Sequence, residues 1–165
     1  MIGKRGRLDP REANVAIDAN SLDRTDTIRA AAVDRLLSLA ADAKIRLIVP
    51  KGVRHEMLDP RTPAVVRNTG LSQIFTYSVD LNSQERRERR IIEAELQGNA
   101  TPGKHTEDAD HLFEASKYCT YFITHDERIL RKSEKLQKVL PTSLQVVTLI
   151  KFLEVYDCYE TGLIF

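Results

Sequence analysis

Short apolar segments that alternate with helical patterns constrain this chain more than any other feature. NVAID at residues 14–18, IRLIVP at 45–50, YFIT at 121–124 and LQVV at 144–147 are too brief for helices and too apolar for loops. Between and after them the spacing of apolar residues turns helical. Parallel strands need a crossover connection, and helices supply it, so the alternation predicts an α/β fold of three layers, α/β/α, around a central parallel sheet. A chain of 165 residues with 42% hydrophobic content supports one core. Residues 1–13 read as an N-terminal extension and 14–165 as a single domain.

The helices are placed by periodicity and punctuation. From residue 27 to about 43, Ile28, Ala31, Ala32, Leu36, Leu39 and Ala40 share a face, and Val53, Glu56 and Met57 mark a short helix after Pro50. Residues 59–63, with two prolines, read as a loop, and IFTYSV at 74–79 as a strand or a helix end. Asn82 with Glu85 three residues on starts a helix that Gly98 stops. Further helices are expected over about 106–118 and 127–136, and a last one contains Ile150, Leu153 and Val155.

In open α/β sheets the functional crevice lies beyond the carboxyl ends of the strands. Four acids are aimed there. Asp18 closes the first strand, Glu56 rides the helix after the second, Asp108 opens the helix before YFIT, and Asp126 follows YFIT directly. Taken singly, Asp18 suits a turn, Asp108 the positive end of a helix and Asp126 a helix cap, while Glu56 suits an exposed helix surface. Together they repel one another unless a cation neutralises them, and Mg²⁺ or Mn²⁺ with oxygen ligands and phosphate oxygens is the chemistry that does so.

These residues resemble the motifs of the PIN-domain nucleases, a family that includes the toxins of many bacterial and archaeal toxin-antitoxin pairs. IDAN at 17–20, VPKGVRHEM at 49–57, EDADHLFEASKY at 107–118 and FITHDERIL at 122–130 are similar to its successive motifs. The eighteen-residue step from Asp108 to Asp126 selects Asp108 over Asp110 as the third acid, with Asp110 as an auxiliary candidate. SLDRTDT after Asn20 departs from the family pattern and moves the helix start towards Thr25 or Asp26. The resemblance implies a metal-dependent endoribonuclease. Asp18, Asp108 and Asp126 would bind Mg²⁺ or Mn²⁺, Glu56 would ligate through water, bind a second ion or orient the attacking water, and Asn20 and Thr124 would support the ligands or contact phosphate. It further implies an RNA substrate, a role as the toxin of such a pair with an antitoxin partner, and a homodimer. A catalytically inactive RNA- or protein-binding module of the same fold is the alternative. A haloacid-dehalogenase-like phosphoryl protein would want a second aspartate at position 20, where Asn20 stands.

The remaining features point less sharply. A formal charge of +1 leaves attraction for a polyanion to local clusters. Arg86 and Arg90 share a helical face suited to phosphates, or a solvated face paired with Glu85, Glu88, Glu93 and Glu95. Lys104 and His105 lie nearer the expected crevice. The histidines have no zinc spacing, and His125 reads as a surface residue. Cys119 and Cys158 read as buried thiols of a reducing compartment, and no run of residues spans a bilayer, so a cytoplasmic protein with no membrane partner is expected. Tyr118, Tyr121, Phe122 and Phe152 read as core.

Overall fold

The computed structural model describes residues 9–71, 74–75, 80–140 and 142–163. Strands β1 (Asn14–Ile17), β2 (Arg46–Val49), β3 (Ile74–Phe75), β4 (Tyr121–Ile123) and β5 (Gln145–Val147) form one wholly parallel sheet in the order β3-β2-β1-β4-β5. Helices α1 (Thr27–Ala41), α2 (Lys51–Leu58), α3 (Ala64–Leu71), α4 (Ser83–Gln97), α5 (Thr106–Tyr118), α6 (Glu127–Arg131), α7 (Ser133–Val139) and α8 (Leu149–Glu160) make the connections. The three-layer α/β/α architecture expected from the sequence is the one found.

Strand alternation assigns the layers. Val15 and Ile17 of β1, Leu47 and Val49 of β2, and Tyr121 and Ile123 of β4 face one core with α1 and α8. The intervening Ala16, Phe122 and Val146 face the other, with α4, α5, α6 and α7. The connection from β1 to β2 therefore covers one face and that from β4 to β5 the other, so strand order reverses between β1 and β4. Asp18 leaves β1 and Asp126 follows β4 at this switch point.

Several helical details differ from the expectation. Ile28 is 73% exposed and Ala31 is exposed, because the stripe of α1 that meets the core runs through Ala32, Val33, Leu36 and Leu39. Ile150 is likewise exposed, while Leu149, Phe152, Leu153, Val155 and Tyr156 bury. Tyr118, at the end of α5, is exposed rather than core, and Cys158 is only half-buried. Cys119 is buried, and burial pushes its thiol up to about 12. The segment expected as one helix over 127–136 breaks at Lys132, whose ammonium donates to the carbonyls of Glu95 (2.6 Å) and Leu96 (2.8 Å) at the end of α4. Past the expected proline loop, α3 begins at once, its first turn closed by Arg67 N–H on the Pro63 carbonyl at 3.0 Å.

The punctuation holds where the chemistry is local. Asn82 and Glu85 form a reciprocal capping box, Gly98 ends α4 at φ 50°, and Asp26 caps α1. Of IFTYSV, residues 74–75 form β3 and residues 76–79 lie outside the described residues, as does most of the N-terminal extension, residues 1–8. Among the described residues no helix is long and apolar enough to cross a membrane.

Candidate metal centre

A short hydrogen-bond chain ties together the ends of β1 and β4. The Thr124 hydroxyl, fully buried, donates to Asp18 Oδ2 at 2.9 Å and accepts from the backbone N–H of Asp126 at 3.1 Å. Asp18 Oδ1 accepts from Ala19 N–H at 2.9 Å, which caps a 3₁₀ turn over Ala19–Leu22. Asn20 closes the frame by accepting from His125 N–H at 3.0 Å. His125 is half-buried rather than a surface residue, and burial lowers its imidazole pKa below the usual range. Asn20 and Thr124 thus hold the strand ends that carry the acids.

Thr124→Val removes the buried donor to Asp18 and the acceptor for Asp126 N–H. It should cost about 1–3 kcal/mol, whereas Thr124→Ser should retain most of the stability. Urea denaturation measures both, and a valine variant as stable as wild type would contradict the bridge.

The four acids collect at one edge but fall into two groups. Asp18, Glu56 and a residue the sequence reading passed over, His111, bring one ligand atom each to within 4.8 Å of one another. Asp108 and Asp126 are instead joined by Arg128, whose guanidinium lies 3.2 Å from Asp108 Oδ2 and 3.7 Å from Asp126 Oδ2. Asp126 also caps α6, accepting from Arg128 N–H at 2.8 Å. The same guanidinium donates to His105, which is buried against Asp108 rather than turned towards a substrate. Asp110 pairs with Arg89 and also lines the cleft beside Glu56 and His111. Lys104 is exposed.

Elements α2 and α5 set the first group. Pro50 at the start of α2 offers no side-chain cap, and Glu114 of α5 takes that place, accepting from Lys51 N–H at 2.9 Å and Gly52 N–H at 3.3 Å. The clamp brings Glu56 of α2 against His111 of α5, with Glu56 Oε1 and His111 Nε2 3.8 Å apart. His111 stands three residues after Asp108 and so on the same face of α5, a spacing that could have flagged it. Glu107, also passed over, joins Glu56 and His111 in lining a cleft of about 700 Å³.

The electrostatics of this group are unfavourable in the protein alone. Burial is the main cause that raises the Asp18 pKa above the usual carboxylate range, and Asp108 adds to it, while His111, Thr124 and Ala19 N–H oppose it. Burial also raises Glu56, with Asp18, Glu107 and Asp108 reinforcing the effect and His111 opposing it. A divalent cation would relieve both. Opposite ligands on an ion with bonds of about 2.1 Å stand about 4.2 Å apart, so a spread within 4.8 Å needs only a small closure. Two carboxylates and an imidazole therefore suit a divalent ion in both chemistry and size.

Arg86, Arg87 and Arg90 on α4 are exposed and form no ion pair among the described residues. Glu85 pairs with Lys117 at 2.6 Å, and Glu93 with Arg89 at 2.9 Å. The face is thus a cationic strip, and only Arg89 follows the expected internal pairing. No family model matches the chain, and neither does any curated protein or solved structure.

Proposed function

We propose that this protein is a divalent-metal-dependent endoribonuclease of the PIN-domain type. The observation that carries the reading is the convergence of Asp18, Glu56 and His111 at the switch point of a parallel sheet. Asp18 is the fixed, buried ligand, oriented by Thr124 and Ala19 N–H. Glu56, on the cleft side, holds the ion or orients the attacking water. The bound ion would lower the pKa of that water and offset charge on the phosphate in the transition state. Arg86, Arg90 and Lys104 supply exposed positive charge for the RNA backbone. The likeness to toxin members of the family extends the proposal to an antitoxin that covers the cleft and to a homodimer.

The decisive experiment is RNA digestion by chelator-stripped protein with and without added Mg²⁺ or Mn²⁺. Cleavage should require the ion, and Glu56→Gln should lower it by on the order of a hundredfold or more while the protein stays folded. Metal-independent cleavage, or full activity in the Glu56 variant, would refute the assignment.

A binding module without catalysis is the second reading. Arg128 favours it, because a guanidinium that already neutralises Asp108 and Asp126 leaves those acids with no need of an ion. RNA retained equally well with and without chelator, and never cut, would select that reading.

A further inference from the structure

The metal preference of this centre is written in one residue that a wholly oxygen-based acid cluster lacks. His111 is only 4% exposed, yet its imidazole makes no hydrogen bond among the described residues, and its nearest charged neighbour, Glu56 Oε1, is beyond hydrogen-bond reach at 3.8 Å from Nε2. Its ring nitrogens are not sealed from solvent, and a nitrogen with no protein partner is free to bind an ion. Here the ring lines the cleft beside Glu56, and one ring nitrogen lies within 4.8 Å of a carboxylate oxygen of Asp18 and one of Glu56. The arrangement has the form of a ligand awaiting an electron-pair acceptor.

Gly52 makes room for it. A Cβ at position 52 would stand 2.5 Å from His111 Cδ2 and 2.6 Å from Nε2, so any other residue there displaces the ring. The glycine needs no unusual backbone conformation, since it lies within α2 and is not among the positive-φ glycines. Close approach of the imidazole is therefore what its missing side chain allows.

We infer that His111, admitted by Gly52, is a nitrogen ligand that makes the centre select a first-row transition-metal ion such as Mn²⁺ over Mg²⁺. Mg²⁺ is a hard ion that takes oxygen ligands and keeps its waters, whereas imidazole is a ligand of the borderline transition ions. Two carboxylates and one imidazole bind either class, but only the second gains from the nitrogen. The inference rests on the reading of this cluster as a metal centre and specifies which ion occupies it.

The test uses the full chain, stripped of metal. Mn²⁺ is titrated by its electron paramagnetic resonance signal, and Mg²⁺ by competition against it. Mn²⁺ should bind at least about tenfold more tightly than Mg²⁺, and its electron spin echo should carry the modulation of a directly bound nitrogen. His111→Gln should abolish that modulation and weaken Mn²⁺ by roughly 10–100-fold, with Mg²⁺ changed far less. Gly52→Ala should weaken Mn²⁺ in the same direction although His111 is still present. Alanine is the better helix former, so the glycine variant and the wild-type echo decide the matter even where His111→Gln fails to fold.

Equal affinity for the two ions, or a Mn²⁺ complex with no nitrogen modulation, overturns the selection while leaving the metal-centre reading intact. Absence of binding by either ion removes both.

Discussion

Asp18→Asn should abolish metal-dependent RNA cleavage, by on the order of a thousandfold, and at the same time make the metal-free protein more stable at neutral pH. The two effects have one cause. Asp18 is 7% exposed, with its carboxylate in the same small cluster as that of Glu56. At about 5 Å and an effective dielectric near 20, two such charges repel by about 3 kcal/mol. Exposure of Glu56 and the loss of one acceptor, since both Asp18 oxygens accept, from Thr124 and from Ala19 N–H, offset part of the gain, leaving a rise in Tm of roughly 2–4 °C.

The sign of the pH dependence follows from the raised carboxyl pKa values of Asp18 and Glu56. A group raised in the folded state contributes its full stability below its unfolded pKa and loses it as pH rises through the folded one. The wild-type apoprotein should therefore weaken as pH climbs above the ordinary carboxyl values, 3.8 for Asp18 and 4.5 for Glu56. The advantage of Asp18→Asn should be present at pH 7 and vanish below those values. Saturating metal reverses the order, since an ion at about 100 times its Kd adds about 2.7 kcal/mol to wild type and little to the variant. Melting curves across pH, with and without Mn²⁺, and RNA digestion in parallel provide the check. A variant that melts lower than wild type without metal, or still cuts, argues against the site.

Phe122→Ala should produce the largest loss of stability, about 3–5 kcal/mol or a fall in Tm of roughly 6–20 °C. Phe122 is fully buried on β4, between β1 and β5, within the core that also holds Leu112, Phe113 and Ala115 of α5. Its removal leaves a cavity under the helix that carries Asp108 and His111. Metal affinity should therefore fall along with stability. Phe122→Leu should cost far less, because volume is largely kept. Urea unfolding gives the comparison, and an alanine variant within about 1 kcal/mol of wild type would mean the core has collapsed around the gap.

The sequence by itself determined where the strands and most helices lie, because those depend on neighbours a few residues away. The apolar runs of β1, β2, β4 and β5, the Asn82–Glu85 box and the stop at Gly98 are local signals found in place, and of the two caps offered for α1, Thr25 and Asp26, it is Asp26 that serves. Asp18 and Asp126, each directly after an apolar run, were legible as strand-end acids, whereas the strand order that sets them at its reversal was not.

Only the tertiary structure decided how the acids group. That His111 joins Asp18 and Glu56, that Arg128 takes Asp108 and Asp126, and that His105 turns inward depend on how α2, α5 and α6 are rotated against one another. The exposure of Ile28 and the break at Lys132 have the same origin, in helix ends meeting or missing a neighbour. Such rotations are set by contacts between distant segments, the Glu114 clamp on α2 and the space at Gly52 among them, and these leave no periodic trace along the chain.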